Sequence, residues 1–444
     1  MMASLVVGLG KTGASCVRYF AKHGIAARAT DSRTKPPGLA ELGPLAGKID
    51  VRLGSFDLSL LDGATQVLMS PGVSLDEPIA RAARARGIEV IGDIELFARA
   101  VRAPVVGITG TNGKSTVTSL VASMAAAAGR RVLAGGNLGR PALDLLDEPA
   151  PDLYVLELSS FQLETTFSLD LAAAVVLNVT SDHMDRYPSI EDYARAKSRI
   201  FARAATVVLN ADDPRVAAMR NAAKPGARIV TFSAREGGAD YCLARRGSQT
   251  YLCRHGSDLL DVSRMKITGV HNAANALASL ALADAAGLPP AASLSALEAF
   301  PGLPHRSQWV ADRSGVRYVD DSKGTNVGAT LAAIEGMPGP LVLIAGGEGK
   351  GQDFAPLAAA FAGKVRHAVL IGKDAPAIDA AICGVCTVER AATMADAVAA
   401  AARAAAPGDT VLLSPACASL DMFRDYAHRG DEFAAAVRAL ATPS

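Results

Sequence analysis

The feature that most constrains this chain is the alternation of short β-branched runs with longer stretches rich in Ala and Leu. Strands that alternate with helices in this way predict parallel sheets covered by helices on both faces, which is the α/β class. The runs expected to form strands are residues 5–7, 105–108, 153–158, 175–177, 207–209, 341–345, 369–371 and 411–413.

A first glycine-rich loop follows the run 5–7, where Gly8, Gly10 and Gly13 form the pattern G-x-G-x-x-G at the start of a predicted helix. Asp31 follows the next apolar run. Glycines at these positions allow a pyrophosphate to approach a helix N-terminus. Three interpretations of this pattern remain open. The loop could bind a nicotinamide dinucleotide, as in an oxidoreductase, or it could bind a nucleotide diphosphate that carries another group. It could also be a tight turn that binds no ligand.

A second loop, residues 110–116 (GTNGKST), connects the run 105–108 to another predicted helix, which ends near Gly129. In such loops backbone N–H groups surround phosphates, the lysine reaches the β- and γ-phosphates, and a hydroxyl binds Mg²⁺. Ile108 replaces the first glycine of the strict phosphate-loop pattern, but the lysine, the hydroxyls and the helix start are present. We therefore expect an enzyme that uses ATP rather than an oxidoreductase.

Prolines and glycines interrupt the patterning at residues 92–104 and 300–304. These interruptions predict three domains: a Rossmann-like N-terminal domain (1–95), a central P-loop-type ATPase domain (96–299) and a Rossmann-like C-terminal domain (300–444). Residues 223–262 contain many turn-forming residues and are expected to form peripheral hairpins of the central domain.

Composition and charge exclude several classes of protein. The 45 Lys and Arg residues balance 44 Asp and Glu residues, so there is no overall attraction to nucleic acid or to an anionic membrane. The N-terminus fits no signal peptide, and no apolar stretch approaches the ~20 residues of a membrane span. Six cysteines are too few for a disulfide framework, and the C-x-x-C pair Cys383 and Cys386 is interpreted as incidental. We expect a cytoplasmic protein.

Eight segments spread over nearly the whole chain carry a more specific signal: 110–116 (GTNGKST), 156–164 (LELSSFQLE), 178–187 (NVTSDHMDRY), 193–197 (YARAK), 210–214 (NADDP), 269–275 (GVHNAAN), 304–306 (PHR) and 321–326 (DSKGTN). Their sequence and order resemble the Mur ligases and the related folylpolyglutamate synthase. The resemblance implies an enzyme that joins a carboxylate to the amine of an amino acid through an acyl phosphate.

Residues 413–423 (LSPACASLDMF) and 346–350 (GGEGK) resemble the branch of this family that adds D-glutamate. The resemblance implies that ATP, two Mg²⁺ ions, UDP-N-acetylmuramoyl-L-alanine and D-glutamate meet in one site of a monomeric enzyme of peptidoglycan synthesis. Three alternatives remain open at this point: a ligase that adds L-alanine to UDP-N-acetylmuramic acid, an NAD-linked oxidoreductase, and a nucleotide-binding protein without catalysis.

The resemblance also implies roles for individual residues. The implied catalytic residues are Lys114, His183 and Lys197. The implied ATP-binding residues are Gly110, Thr111, Asn112, Gly113, Lys114, Ser115, Thr116, Asn272, Asn275, Arg306 and Asp321. The implied UDP-substrate residues are Gly8, Gly10, Thr12, Gly13, Ser32, Asn137 and Gln162. The implied D-glutamate residues are Thr325, Lys350, Ser419 and Tyr426. The implied metal ligands are Ser115, Glu157, His183 and a carbamylated Lys197.

Three details qualify these roles. A lysine on a polar-looking helix, such as Lys197, is usually a solvated surface charge, whereas carbamylation requires a neutral amine and hence a lowered pKa. Lys323 matches a position near the phosphates. Lys11 departs from the apolar residue expected between Gly10 and Thr12, and His271 and His305 are interpreted as structural.

Overall fold

The computed structural model describes residues 2–337 and 339–440 and contains three β-sheets flanked by helices. The α/β class with three domains is therefore confirmed. Each strand run predicted from its β-branched residues forms a strand, because such residues pack well on a pleated surface that is buried on both faces.

The first sheet has five parallel strands in the order β3-β2-β1-β4-β5. Helix α1 begins within the first glycine-rich loop, directly after Gly10. The elements of this part are β1 (Ala3–Val7), α1 (Lys11–Lys22), β2 (Ala27–Asp31), α2 (Gly38–Leu42), β3 (Asp50–Leu53), β4 (Ala64–Met69), α3 (Pro78–Ala85), β5 (Glu89–Ile91) and α4 (Asp93–Ala100).

The second sheet has nine strands in the order β14-β13-β12-β11-β10-β9-β6-β8-β7. Its elements are β6 (Val105–Thr109), α5 (Lys114–Ala127), β7 (Val132–Gly136), α6 (Ala142–Leu145), β8 (Leu153–Glu157), α7 (Ser160–Glu164), β9 (Leu171–Val176), α8 (Ile190–Ser198), β10 (Ala204–Asn210), α9 (Pro214–Ala218), β11 (Arg228–Glu236), β12 (Tyr241–Arg246), β13 (Gln249–Arg254), β14 (Ser257–Asp261), α10 (Val270–Ala285) and α11 (Pro290–Ala299).

The hairpins predicted in residues 223–262 are present as β12, β13 and β14, which pair antiparallel at one edge of this sheet. The prediction was wrong for β11, which pairs parallel to β10 and continues the main sheet. Its alternation is weak because only part of the strand is buried, so its sequence resembles a loop.

The third sheet has six strands in the order β15-β16-β20-β17-β18-β19, with only the edge strand β15 antiparallel to its neighbour. Its elements are β15 (Gln308–Arg313), β16 (Val316–Asp320), α12 (Val327–Gly336), β17 (Leu341–Gly346), α13 (Pro356–Phe361), β18 (Val365–Ile371), α14 (Ala375–Ala381), β19 (Thr387–Arg390), α15 (Met394–Ala404), β20 (Thr410–Leu413) and α16 (Tyr426–Ala439).

The first two sheets share one continuous apolar cluster, in which Phe97 of α4 packs edge-on against Tyr154 of β8. Burying a side chain as large as that of Phe97 contributes about 2–3 kcal/mol. The third sheet has separate cores on its two faces, around Phe361 and Phe433. The predicted boundary at residue 95 lies inside α4, which connects the first two sheets, and the boundaries at 95 and 299 remain predictions.

Candidate active site

The loop between β6 and α5 is held in shape from both sides. Gly113 has φ +86°, and a Cβ there would lie 2.4 Å from Oδ1 of Asn275, so only glycine fits without strain. The side chain of Asn178 accepts from the backbone N–H of Asn112 (2.8 Å) and donates to its carbonyl (3.1 Å). The backbone of the loop is therefore fixed, and the loop leads into the N-terminus of a 14-residue helix, as an anion site requires.

Lys114 folds back over this loop. Its Nζ donates to the carbonyl oxygens of Gly110 (2.9 Å) and Thr111 (2.8 Å). Burial lowers the pKa of Lys114, although Glu157 and Asp182 oppose this effect. The amine thus lies beside the position where the loop would hold the terminal phosphates.

A cavity of about 300 Å³, here called the central cavity, opens beside this loop at the ends of β6 and β8. Glu157, only 3% exposed, ends β8 and forms part of its wall. Oε2 of Glu157 accepts from the Ser115 hydroxyl (2.7 Å), and Oε1 accepts from Nδ2 of Asn137 (2.7 Å). A carboxylate and a hydroxyl therefore meet in the wall, next to the phosphate loop.

Lys197 lies in the same wall, and the general expectation of a solvated lysine is wrong for this residue. Its side chain is 1% exposed, and its Nζ donates to the carbonyl of Gly110 (2.9 Å) and lies 4.3 Å from the ring centroid of Tyr193. Burial lowers the pKa of Lys197 well below that of a free lysine, and Lys114 adds to the effect. An amine in this setting loses its proton readily.

Asp182 and His183 follow β9 and complete the central-domain side of the cavity. His183 has φ +57°, and its ring lies 5.0 Å from that of Phe161. Burial lowers the pKa of His183, although the charge of Asp182 opposes this effect. The lowered pKa favours the neutral imidazole. Burial raises the pKa of Asp182, but the charges of His183, Lys350 and Lys114 outweigh it and keep the net shift downward.

The third domain covers the cavity with three cations. Nη2 of Arg306 donates to the Ser115 hydroxyl (2.7 Å), and Nζ of Lys350 lies 3.5 Å from Oδ1 of Asp182. Lys323 lines the same cavity, and burial lowers its pKa to about 8. Thr325 also lines the cavity. Cations from two domains therefore surround the loop that the sequence predicted to hold phosphates.

A second cavity of about 260 Å³, the inter-domain cavity, lies between α10 and α12. Its lining includes Thr116, Asn272, Asn275 and Asp321, four of the residues expected to bind ATP. Burial raises the pKa of Asp321 to about 7, although Ser414 and the Ser307 backbone donate to its carboxyl group. The size and the polar groups of this cavity suit a nucleoside.

A third cavity of about 660 Å³, the N-terminal cavity, lies between the first glycine-rich loop and the central domain. Six of the seven residues expected to bind the UDP substrate line it: Gly8, Gly10, Thr12, Ser32, Asn137 and Gln162. Gly13 instead supports the turn, because a Cβ there would lie 1.9 Å from the carbonyl oxygen of Gly8. Asn137 borders both this cavity and the central cavity, so the two adjoin.

Asp31 ends β2 and lines the N-terminal cavity, but its carboxylate already accepts hydrogen bonds from the protein. Its Oδ2 accepts from the backbone N–H of Leu9 (2.6 Å) and from Nη2 of Arg33 (2.7 Å). Its Oδ1 accepts from the backbone N–H (2.8 Å) and Nε (2.9 Å) of Arg33. Both carboxylate oxygens are therefore engaged, which disfavours recognition of a ribose by Asp31.

Two of the four residues predicted to bind D-glutamate do not line these three cavities. Ser419 and Tyr426 are not among the described residues that line the three cavities. Tyr426 instead packs its ring 3.9 Å from Nζ of Lys323, and Ser419 is buried after β20. Their predicted contact with an amino acid is not apparent from the cavity linings.

Sequence reasoning also missed residues that line the cavities. Arg186 lines the N-terminal cavity, with its guanidinium 4.5 Å above the ring of Phe161. Residues 70–74 (SPGVS) follow β4 and line the same cavity, and their Pro-Gly turn at a strand end was a signal that could have found them. Asn326 lines the central cavity and lies directly after the predicted Thr325.

Other features of the described residues bear on the predictions. No three His, Cys, Asp or Glu side chains of residues 2–337 and 339–440 form a group that could hold a metal ion. All six cysteines are free thiols, including Cys383 and Cys386.

Within residues 2–337 and 339–440, every helix is too short or too polar to cross a bilayer. His305 pairs with Asp320 (2.7 Å), as a structural role requires, whereas His271 lines the inter-domain cavity.

Comparison with known proteins agrees with this geometry. Three family descriptions match the chain in order: "Mur ligase MurD-like, N-terminal domain" at residues 2–92, "Mur ligase middle domain" at 108–283 and "Mur ligase, glutamate ligase domain" at 305–417.

Two similar relatives are both named UDP-N-acetylmuramoylalanine–D-glutamate ligase. The Nitrosococcus oceani protein is 54% identical over 98% of this chain and 96% of its own length. The Methylococcus capsulatus protein is 52% identical over 98% of this chain and 95% of its own. The crystal structure of UDP-N-acetylmuramate-alanine ligase from Thermotoga maritima has the same fold, with a TM-score of 0.63 at 18% identity over 99% of this chain and 100% of that one. The chain belongs to the Mur ligase family.

Proposed function

We propose that this chain attaches D-glutamate to UDP-N-acetylmuramoyl-L-alanine, with conversion of ATP to ADP and phosphate, in the synthesis of peptidoglycan precursors. The observation that carries the proposal is the alignment of the three cavities. The N-terminal cavity adjoins the central cavity at Asn137, and the central cavity adjoins the inter-domain cavity at Asn112, Gly113, Arg306 and Lys323. Such an arrangement suits a nucleotide sugar at one end, a nucleoside triphosphate at the other, and reaction between them.

The first chemical step brings two anions together. A carboxylate oxygen of the muramoyl-alanine substrate attacks the γ-phosphorus of ATP, an acyl phosphate forms, and ADP leaves. Repulsion between the carboxylate and the triphosphate must be offset, and Lys114, Arg306 and Lys323 supply positive charge at that point. In the second step the unprotonated amine of D-glutamate attacks the acyl carbon, and phosphate leaves after the tetrahedral intermediate.

We assign the nucleoside to the inter-domain cavity and the phosphates to residues 110–116. Asn272, Asn275 and Asp321 face the adenosine, whereas Ser115 and Thr116 lie at the helix N-terminus where phosphates bind. The UDP diphosphate is assigned to Gly8, Gly10 and Thr12 in the same way, at the N-terminus of α1, with Ser32 near the uracil.

Magnesium suits the chemistry of the wall residues. Mg²⁺ binds oxygen ligands and commonly takes one or two from the protein and the rest from phosphates and water, so a three-residue protein cluster is not required. Glu157 and Ser115 would supply oxygen ligands to one ion. A carbamylated Lys197 would supply oxygen to a second ion, with the neutral imidazole of His183 as a nitrogen ligand. Bound Mg²⁺ would neutralise the charge of the phosphates and so assist attack on the γ-phosphorus.

D-Glutamate carries two carboxylates, and the third domain offers a cation for one of them. Lys350 lines the central cavity and Thr325 lies on the same side of it, so both are assigned to the amino acid. The assignment of Ser419 and Tyr426 to D-glutamate binding rests on the family resemblance alone. We further propose that the protein is a cytoplasmic monomer with domain boundaries near residues 95 and 299.

The deciding experiment measures phosphate release from ATP by the purified protein. Release should require both UDP-N-acetylmuramoyl-L-alanine and D-glutamate, and neither L-glutamate nor L-alanine should replace D-glutamate. Activity with UDP-N-acetylmuramic acid and L-alanine would instead support the L-alanine-adding reaction. Absence of phosphate release with every amino acid would overturn the proposal and leave a non-catalytic nucleotide-binding protein.

A further inference from the structure

A pair of asparagine side chains joins the third domain to the phosphate loop. Nδ2 of Asn326 donates to Oδ1 of Asn112 (3.1 Å), and Nδ2 of Asn112 donates back to Oδ1 of Asn326 (3.3 Å). The two residues are 214 positions apart in the sequence and both line the central cavity. Reciprocal amide pairing satisfies a donor and an acceptor on each side chain at once.

The orientation of the Asn326 amide is set by its own helix. Asn326 is the N-cap of α12, and its Oδ1 accepts from the backbone N–H of Ala329 (2.9 Å). Because Oδ1 is held by the helix, Nδ2 must face the central domain, where it also lies 3.4 Å from Oδ2 of Asp182. Asn326 is 2% exposed, so these contacts replace water.

We propose that Asn326 is a positioning residue: through Asn112 it couples the phosphate loop to the third-domain segment that receives the amino acid. Asn112 lies between Thr111 and Gly113 of the loop, and its backbone is held by Asn178. On the other side, Asn326 directly follows Thr325. The amino-acid site is thus complete only when the two domains close on the loop. The proposal rests on the proposed function for the identity of that amino acid.

The helix cap and the pairing with Asn112 can be separated by substitution. Ser is a good N-cap, so Asn326→Ser retains the bond to Ala329 but removes both contacts with Asn112. Asn326→Asp retains the cap too, but places a second carboxylate beside Asp182. Thr393 caps α15 of the same domain by accepting from the backbone N–H of Asp396. Thr393→Ala removes that cap completely, so its effect is an upper bound for any weakening of the α12 cap in the Asn326 variants.

Steady-state kinetics and small-angle X-ray scattering with an ATP analogue test the proposal together. We expect Asn326→Ser to raise the KM for D-glutamate roughly tenfold, as the loss of two hydrogen bonds implies, and Asn326→Asp to raise it further. Thr393→Ala should change it less than twofold. In scattering, both Asn326 variants should keep a larger radius of gyration than the wild type when the analogue is bound.

A double-mutant cycle with Asn112→Ala adds a direct measure of coupling. Asn326→Ser should have little further effect on nucleotide affinity or on the radius of gyration once Asn112 is replaced. If Asn326→Ser matches the wild type in both kinetics and scattering, or if the two substitutions are additive, the proposal is overturned. Nucleotide affinity and scattering need no turnover, so a failure of the proposed function would leave these readouts intact.

Discussion

At the scale of single residues, burial decides the chemistry of Lys197. The surrounding sequence 190–198 reads as a polar helix, and two of its charged side chains, Glu191 and Arg195, are exposed. Lys197 instead points inward to the carbonyl of Gly110, where a charged amine is poorly solvated and its pKa falls. Only such an amine can react with carbon dioxide, so the position of the side chain is what makes carbamylation chemically reasonable.

We expect Lys197→Ala to lower kcat at least about a hundredfold, as does removal of one electrostatic group from other active sites. Added bicarbonate should not restore activity, because the variant has no amine to carbamylate. Arg195→Ala on the exposed side of the same helix is the control and should retain activity within about twofold. Near-normal turnover of Lys197→Ala would remove Lys197 from the mechanism.

Asp93 makes the stability of the protein depend on pH. This carboxylate begins α4 and is 1% exposed. Its Oδ2 accepts from Nε2 of Gln162 (3.2 Å), while its Oδ1 has no partner among the described residues. Burial raises the pKa of Asp93 from 3.8 to about 6. Since the folded state holds the proton more tightly than the unfolded state, this group stabilises the fold at low pH, and the stabilisation is lost as the pH rises from about 4 to about 6.

Asp93→Asn should therefore be more stable than the wild type at pH 8, by at most about 3 kcal/mol, and the difference should shrink towards pH 5. The amide can still accept from Gln162 but carries no charge. Thermal or urea unfolding at the two pH values measures the difference. If Asp93→Asn is less stable than the wild type by the same amount at both pH values, the charge of Asp93 does not destabilise the fold.

At the scale of secondary-structure elements, two glycines at the turn from β1 to α1 differ in whether a larger side chain would fit. A Cβ on Gly13 would lie 1.9 Å from the carbonyl oxygen of Gly8, whereas a Cβ on Gly10 would meet no atom within 4 Å. Gly10 has φ −84°, which any residue adopts. The same sequence pattern thus contains one glycine needed for packing of the helix and one that faces the N-terminal cavity.

We expect Gly13→Ala to lower the free energy of unfolding by about 2 kcal/mol or more, because the backbone must move to admit the methyl group. Gly10→Ala is the matched control and should melt at the wild-type temperature, although it should weaken binding of the UDP substrate. Differential scanning calorimetry of the two variants checks this. Equal melting temperatures for Gly13→Ala and the wild type would contradict the steric argument.

At the scale of the whole molecule, Asp144 of α6 ties α1 to the central domain. It accepts from the Ser15 hydroxyl (2.7 Å) and from Nη2 of Arg18 (2.7 Å). Both donors lie on α1, whose first residues Lys11 and Thr12 line the N-terminal cavity, so this contact holds α1 against the central domain beside that cavity. The nearby pair Lys22 and Asp147 is more than half exposed on both side chains.

We expect Asp144→Ala to raise the KM for the UDP substrate about three- to tenfold and to leave the KM for ATP unchanged. Charged hydrogen bonds of this kind are worth about 1.5–3 kcal/mol. Because Asp144 is not among the described residues that line the N-terminal cavity, only part of that free energy is lost from binding. Asp147→Ala should have no measurable effect, as is usual for exposed ion pairs. The two KM values of each variant are sufficient to decide. Equal increases in both KM values for Asp144→Ala would indicate general loosening of the protein rather than a changed cavity.

The sequence alone was sufficient for the fold class, the phosphate loop and much of the residue set that lines the cavities. Strand runs and glycine loops are local patterns, and local patterns are set by backbone conformation and by the burial of neighbouring side chains. Lys114 could be predicted because it follows a glycine-rich loop at the start of a helix. Glu157 and Asn275 were predicted from the resemblance to a family, and both line the cavities.

Only the tertiary structure decided which of these residues meet. The pairing of Asn326 with Asn112 and the contact of Arg306 with Ser115 join segments about 200 residues apart, and no local pattern specifies such a distance. The engagement of Asp31 by Arg33 and Leu9, the burial of Lys197 and the orphaned oxygen of Asp93 likewise depend on what the folded chain places around them. Solvation and charge are properties of the surroundings, and the surroundings exist only once the domains have packed.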